Sequence, residues 1–106
     1  LAIAGRTQEH ADERAHSITA AGREAIGLKC DVTSKADLQR VLDAVLQRFG
    51  KVDILINAAG VNSATPFFDI TEEEWHRILD IDLTGVFLAC QVFGKAMVDF
   101  LDHNTR

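Results

Sequence analysis

The sequence predicts an α/β layer fold built on parallel strands. Three observations carry this expectation. Short apolar runs alternate with segments of helical periodicity, reading strand–helix–strand–helix–strand–helix along the 106 residues. Residues 38–49 place apolar side chains along one face of a helix. Val52–Ile56 is a nearly unbroken apolar run, the pattern of a strand covered on both faces. Strands joined through helices imply parallel pairing with right-handed crossovers.

Leu1-Ala2-Ile3-Ala4 is a short apolar run closed by Gly5, a buried-strand signal. Residues 8–21 carry Ala11, Ala15 and Ile18 at helical spacing, and Gly22 is placed to stop that helix. Ala25-Ile26-Gly27-Leu28-Lys29-Cys30 reads as a second strand. Ser34 then caps a helix whose Leu38, Val41, Leu42, Val45, Leu46 and Phe49 share one face, with Gly50 as its end. Val52–Ile56, interrupted only by Asp53, is the third strand. Residues 58–70 hold small and polar residues and the single Pro, and read as a loop in which Phe67 and Phe68 either line a substrate cleft or, the favoured expectation, close the core. Thr71-Glu72-Glu73-Glu74 resembles a capping box, with Glu74 reaching back to the Thr71 amide. The last helix carries Trp75, Ile78, Leu79, Leu83, Val86, Phe87, Cys90, Phe93 and Met97, and runs to about residue 100 with a break near Gly85. Cys90 falls on its apolar face and reads as a small core residue.

Composition acts mainly by exclusion. With 47% hydrophobic and 25% charged residues the chain has a globular composition, and its length allows one domain at most. Sixteen acids against eleven bases give a net charge of −5, which argues against a nucleic-acid partner. No apolar run approaches the roughly 20 residues of a bilayer span, so no membrane partner is expected. His10, His16, His76 and His103 form no i, i+4 pair, and a metal site is not expected. Two cysteines, Cys30 and Cys90, make no disulfide framework, so a reduced, cytoplasmic setting is the expectation. The chain has no Tyr, so a mechanism needing a phenol acid or base is incomplete within it.

In doubly wound sheets, ligands lie beyond the carboxyl ends of the strands. The residues at those ends are Gly5-Arg6-Thr7, Asp31-Val32-Thr33 and Asn57-Ala58-Ala59-Gly60. Asn57-Ala58-Ala59-Gly60 after Asp53-Ile54-Leu55-Ile56 resembles the Asn-Ala/Asn-Ala-Gly motif of short-chain dehydrogenases/reductases. Cys30-Asp31-Val32-Thr33 is similar to the Asp-Val pair after the preceding strand of that family. Phe49-Gly50-Lys51-Val52-Asp53 and Trp75…Leu83-Thr84-Gly85-Val86-Phe87 fall in the family's order and spacing. These matches run the length of the chain.

The resemblance implies a Rossmann-type doubly wound parallel sheet, present here as strands two to four with their helices. Residues 1–106 would form a partial NAD(P)-binding domain. The first strand with its glycine-rich turn would lie before Leu1, and the catalytic Ser and Tyr-x-x-x-Lys beyond Arg106. The complete enzyme would move a hydride between a nicotinamide cofactor and a secondary alcohol or ketone, and this portion alone would be silent. Asp31 would accept from the adenine amino group, with the Val32 backbone beside the ring. Asn57 would stabilise the central strands, and Ala58, Ala59 and Gly60 would pass close to the adenosine ribose. The position where an acid would bind the ribose hydroxyls falls on Gly5, and Arg6 follows it, so NADP(H) is favoured over NAD(H). Asp82 stands at the family's Asn position before Leu-Thr-Gly; it is a candidate catalytic residue holding a relay water, or it only makes the local helix break.

Two expectations concern assembly. In the strand order 3-2-1-4-5-6, strand one separates strand two from strand four, so Val52–Ile56 would face an empty slot. Helix 71–100 is apolar on more than one side and implies a homo-oligomer, or burial against another part of the same chain. The alternative to an enzyme is a non-catalytic α/β nucleotide-binding or assembly module. A response-regulator-like domain would need an acidic cluster at the strand ends, for which Asp31 alone is poor support.

Overall fold

The computed structural model describes residues 1–105. Its regular elements are β1 (Ala2–Gly5), α1 (Gln8–Ala20), β2 (Ile26–Lys29), α2 (Lys35–Phe49), a 3-10 turn (Phe67–Asp69), α3 (Glu72–Leu79), a π turn (Asp80–Thr84) and α4 (Gly85–Thr105). β1 and β2 pair in parallel, Ala2 opposite Ile26 and Gly5 opposite Lys29. α1 is the crossover between them. It lies so close to β2 that a Cβ on Gly27 would sit 2.6 Å from the Ala11 carbonyl carbon, which makes glycine the only residue that fits without moving the helix.

Each boundary has a local cause. The Ser34 side chain accepts from the Asp37 amide at the start of α2, and Gly50, at φ 81°, ends it in the left-handed conformation that other residues avoid. Leu38, Val41, Leu42 and Val45 are buried as the periodicity predicts. They meet Ala89, Val92 and Phe93 of α4 and Cys30 after β2, and this cluster is the core. Leu46, expected on the same face, is more than a third exposed because α4 covers only one side of α2.

Three expectations are corrected. Val52–Ile56 forms no strand and joins no sheet; among the described residues the sheet has two strands only. Val52 and Leu55 pack on the core, whereas Ile54 and Ile56 are 77% and 79% exposed. A run becomes a buried strand only when a neighbour takes up its backbone groups, and neither β1 nor β2 does so. Phe67 and Phe68 do not close the core. They are 80% and 95% exposed and stack edge to face on each other at 5.3 Å. Cys90 is exposed rather than a core residue, as is Phe87 beside it.

The break expected near Gly85 is the π turn, and the rod from Glu72 continues through it to Thr105. Glu72–Asp102 is long and apolar enough, by length and composition, to cross a membrane, which counting consecutive apolar residues had not suggested. One side of this rod nevertheless supplies Ala89, Val92 and Phe93 to the core.

Candidate functional site

The carboxyl ends of β1 and β2 put Arg6 and Asp31 on one edge of the sheet. The Asp31 turn is built by its own side chain: Oδ1 accepts from the Thr33 amide at 2.9 Å and from the Thr33 hydroxyl at 2.7 Å. The Asp31 amide in turn donates to Asp37 Oδ2 at 2.7 Å. The two Thr33 bonds hold the Asp31 carboxyl below the usual carboxylate range; the Asp37 charge opposes this, and the Arg6 guanidinium adds to it. Asp31 is exposed, and among the described residues no donor occupies its Oδ2. An ionised oxygen therefore remains open beside Arg6, itself exposed.

Val32 turns inward from this edge and rests on Gly85. A Cβ on Gly85 would lie 2.7 Å from Val32 Cγ2, so the glycine is what lets the Asp31-Val32 turn seat against the helix. Asn57, Ala58, Ala59 and Gly60 follow the Val52–Ile56 segment and are all exposed. The Asn57 side-chain Nδ2 donates to Cys90 Sγ at 3.5 Å, tying the segment to α4 rather than to neighbouring strands. Asp82 lies in the π turn, and its Oδ1 accepts from the Val61 amide at 2.8 Å. A Cβ on Gly60 would meet the same oxygen at 3.4 Å, ordinary contact distance. Asp82 thus sits within the helix distortion and also anchors the loop.

Five residues, Asp80 to Thr84, and the glycine after them therefore hold two of the three strand-end segments. Gly85 seats Val32, and Asp82 fixes the chain just after Gly60. π turns are rare and concentrate at functional sites. Glu74 does not reach back to the Thr71 amide. Thr71 caps α3 by accepting from the Glu74 amide at 3.1 Å, while the Glu74 carboxylate accepts the Ser63 and Thr65 hydroxyls. Those two hydroxyls are a part of the site that residue spacing did not reveal. Cys30 is buried, and burial pushes its thiol up, away from nucleophilic character. Among the described residues no group of three or more His, Cys, Asp or Glu is placed to hold a metal; the His103 side chain lies outside them.

The short chain dehydrogenase family matches residues 1–104. A (5R,7aS)-5-hydroxy-7a-methyl-1-oxo-2,3,5,6,7,7a-hexahydro-1H-indene-carboxyl-CoA reductase of Mycobacterium tuberculosis is 43% identical over an 83-residue alignment that covers 73% of this chain and 32% of that protein. A short-chain type dehydrogenase/reductase from Mycobacterium marinum superposes with a TM-score of 0.87 at 36% identity, covering 92% of this chain and 39% of that one. An alcohol dehydrogenase from Thermococcus sibiricus, solved in complex with 5-hydroxy-NADP, superposes with a TM-score of 0.82 at 27% identity over 91% of this chain and 41% of that one. The chain spans about a third of the length of the curated relatives it matches. Two parallel strands crossed by α1, with α2 and α4 forming the core, are a part of the Rossmann fold of these structures. From its first strand to α4, this chain belongs to the short-chain dehydrogenase/reductase family.

Proposed function

We propose that this chain is the adenosine-binding portion of an NADP(H)-preferring oxidoreductase that interconverts secondary alcohols and ketones. The observation that carries the reading is the π turn, whose Asp82 and Gly85 fix the Val61 amide and Val32 next to the two strand-end motifs. When bound, the nicotinamide dinucleotide would accept or donate the hydride. The chain's own residues would bind and orient it. Asp31 presents a free, ionised Oδ2 to an amino donor such as adenine carries. Ala58, Ala59 and Gly60 offer exposed backbone with little side chain, suited to close approach by a sugar. Arg6 supplies a cation at the end of β1, where a planar guanidinium matches a 2′-phosphate. Asp82, as an acceptor, would also hold a water near this edge, but it lacks the donor hydrogens of an amide.

The proton donor and the pyrophosphate site are proposed to lie in other parts of a longer protein, since this chain contains no Tyr and its glycines form no Gly-x-x-x-Gly-x-Gly turn. The unpaired Val52–Ile56 segment fits that reading, because a strand between it and β1 would take up its free backbone groups. Exposed Trp75, Leu83, Phe87 and Val98 along the α3–α4 rod support a homo-oligomer through residues 71–100. Two unpaired cysteines suit a reduced, cytoplasmic compartment.

The test compares NADPH and NADH binding by the natural gene product, its intact mass first established. A mass more than twice 11.7 kDa, NADPH preferred, and loss of that preference in Arg6→Glu are the expected results. A charged hydrogen bond of about 1.5–3 kcal/mol corresponds to roughly tenfold or more in affinity. A mass near 11.7 kDa would remove the catalytic claim, and equal binding of both dinucleotides would remove the role of Arg6.

A further inference from the structure

We propose that Glu74 is a positioning residue for the cofactor loop 57–65, acting through the Ser63 and Thr65 hydroxyls rather than as a capping-box acid. This rests on the reading above that the loop receives the dinucleotide. Residues 57–65 contain no helix or strand, so side-chain contacts must hold their shape. Three such contacts come from one helical rod. Cys90 Sγ accepts from the Asn57 side-chain Nδ2, Asp82 Oδ1 accepts from the Val61 backbone amide, and Glu74 Oε1 accepts from both hydroxyls, that of Thr65 at 2.9 Å. Ser63 Oγ also accepts from the Thr65 amide at 3.1 Å, which closes a compact, partly buried set.

The rod's geometry explains why these residues act together. Glu74, Asp82 and Cys90 stand at positions eight apart. Two α-helical turns take about 7.2 residues, so such positions drift from a common face. The π turn at Asp80–Thr84 takes in about one of the roughly 1.6 surplus residues of the two intervals, and so reduces the drift between Glu74 and Cys90. The Glu74 backbone is independently fixed by the Thr71 cap, which anchors the base of the side chain that holds the loop. Both donors reach a single oxygen and hold the carboxyl in its ionised form, lowering its pKa; the nearby Arg77 charge adds to this.

The experiment measures the NADPH dissociation constant and the melting temperature of the natural gene product and three variants. Glu74→Ala should raise Kd about tenfold, because two charge-assisted bonds that order the loop are gone. Glu74→Gln keeps the acceptor oxygen and should stay within about twofold of the unsubstituted protein. Ser63→Ala combined with Thr65→Val should repeat the Glu74→Ala loss while leaving α3 and its cap untouched, and it decides the matter if Glu74→Ala does not fold. A lowered melting temperature with unchanged Kd in both Glu74→Ala and the double variant would overturn the proposal, as would a Glu74→Gln effect equal to that of Glu74→Ala. Failure of the unsubstituted protein to bind NADPH would overturn this proposal and the cofactor reading together. Binding that ignores Glu74 would overturn this proposal alone.

Discussion

Two glycines in one helix provide a controlled test of how the Asp31-Val32 turn is seated. Gly85 and Gly94 both belong to the continuous helix, and replacing either by Ala should gain about 0.8–1 kcal/mol of helix propensity. Their surroundings differ. A Cβ at Gly94 meets nothing within 4 Å, whereas at Gly85 it would lie 2.7 Å from Val32 Cγ2 and 3.2 Å from Val32 Cβ. Val is stiff about χ1 and its methyl lies close to the backbone, so it yields only if the turn moves. Overpacking of this kind costs about 1–3 kcal/mol. Gly94→Ala should therefore stabilise the natural gene product by nearly 1 kcal/mol, while Gly85→Ala should fall about 1–3 kcal/mol below it. Urea titration of both variants, with m unchanged, reads the difference directly. NADPH affinity should fall in Gly85→Ala and hold in Gly94→Ala. Equal stabilisation by both substitutions would refute the close Val32–Gly85 contact, and with it the link between the π turn and the adenine-side turn.

Two other outcomes follow from the same geometry. Gly27→Ala should be more damaging than Gly85→Ala, because its Cβ would meet backbone atoms of Ala11 and Asp12 at 2.6–2.8 Å and α1 would have to lift from the sheet; denaturant midpoints check this. Thr33→Val removes the hydroxyl that does most to lower the Asp31 pKa, so NMR titration should find that carboxyl shifted upward. A depressed folded-state pKa contributes stability that is present above the unfolded value, about 3.9, and is lost as pH falls through the folded value. The variant should accordingly lose the Asp31 contribution at a higher pH than the parent.

How much was legible in the sequence depended on where each signal came from. α2 was readable in full because its cap, apolar face and stop are all local: Ser34, Leu38 to Val45, and Gly50. The position of Asp31-Val32 at a strand end was readable because it follows the apolar run of β2. Val52–Ile56 has the composition of a buried strand, but pairing belongs to two segments, and the empty slot expected beside it leaves it outside the sheet. Cys90, Phe87 and Leu46 failed for a related reason: an apolar stripe marks surface suited to burial, not the neighbour that buries it. Glu74 fitted the capping-box spacing, but the Ser63 and Thr65 hydroxyls, 11 and 9 residues upstream, won its carboxylate. The helix break was signalled by Gly85 and by Asp82 at the family's Asn position, but its π form was not, since that depends on the tertiary contacts of Asp82 with Val61 and of Gly85 with Val32.

Amide hydrogen exchange of the natural gene product, with and without saturating NADPH, tests the central claim most directly. Binding at the strand ends predicts slowed exchange at Arg6–Gln8, Asp31–Thr33 and Asn57–Val61, with Gln39–Val45 on α2 unchanged. NADPH binding that leaves those three segments unprotected would contradict the account.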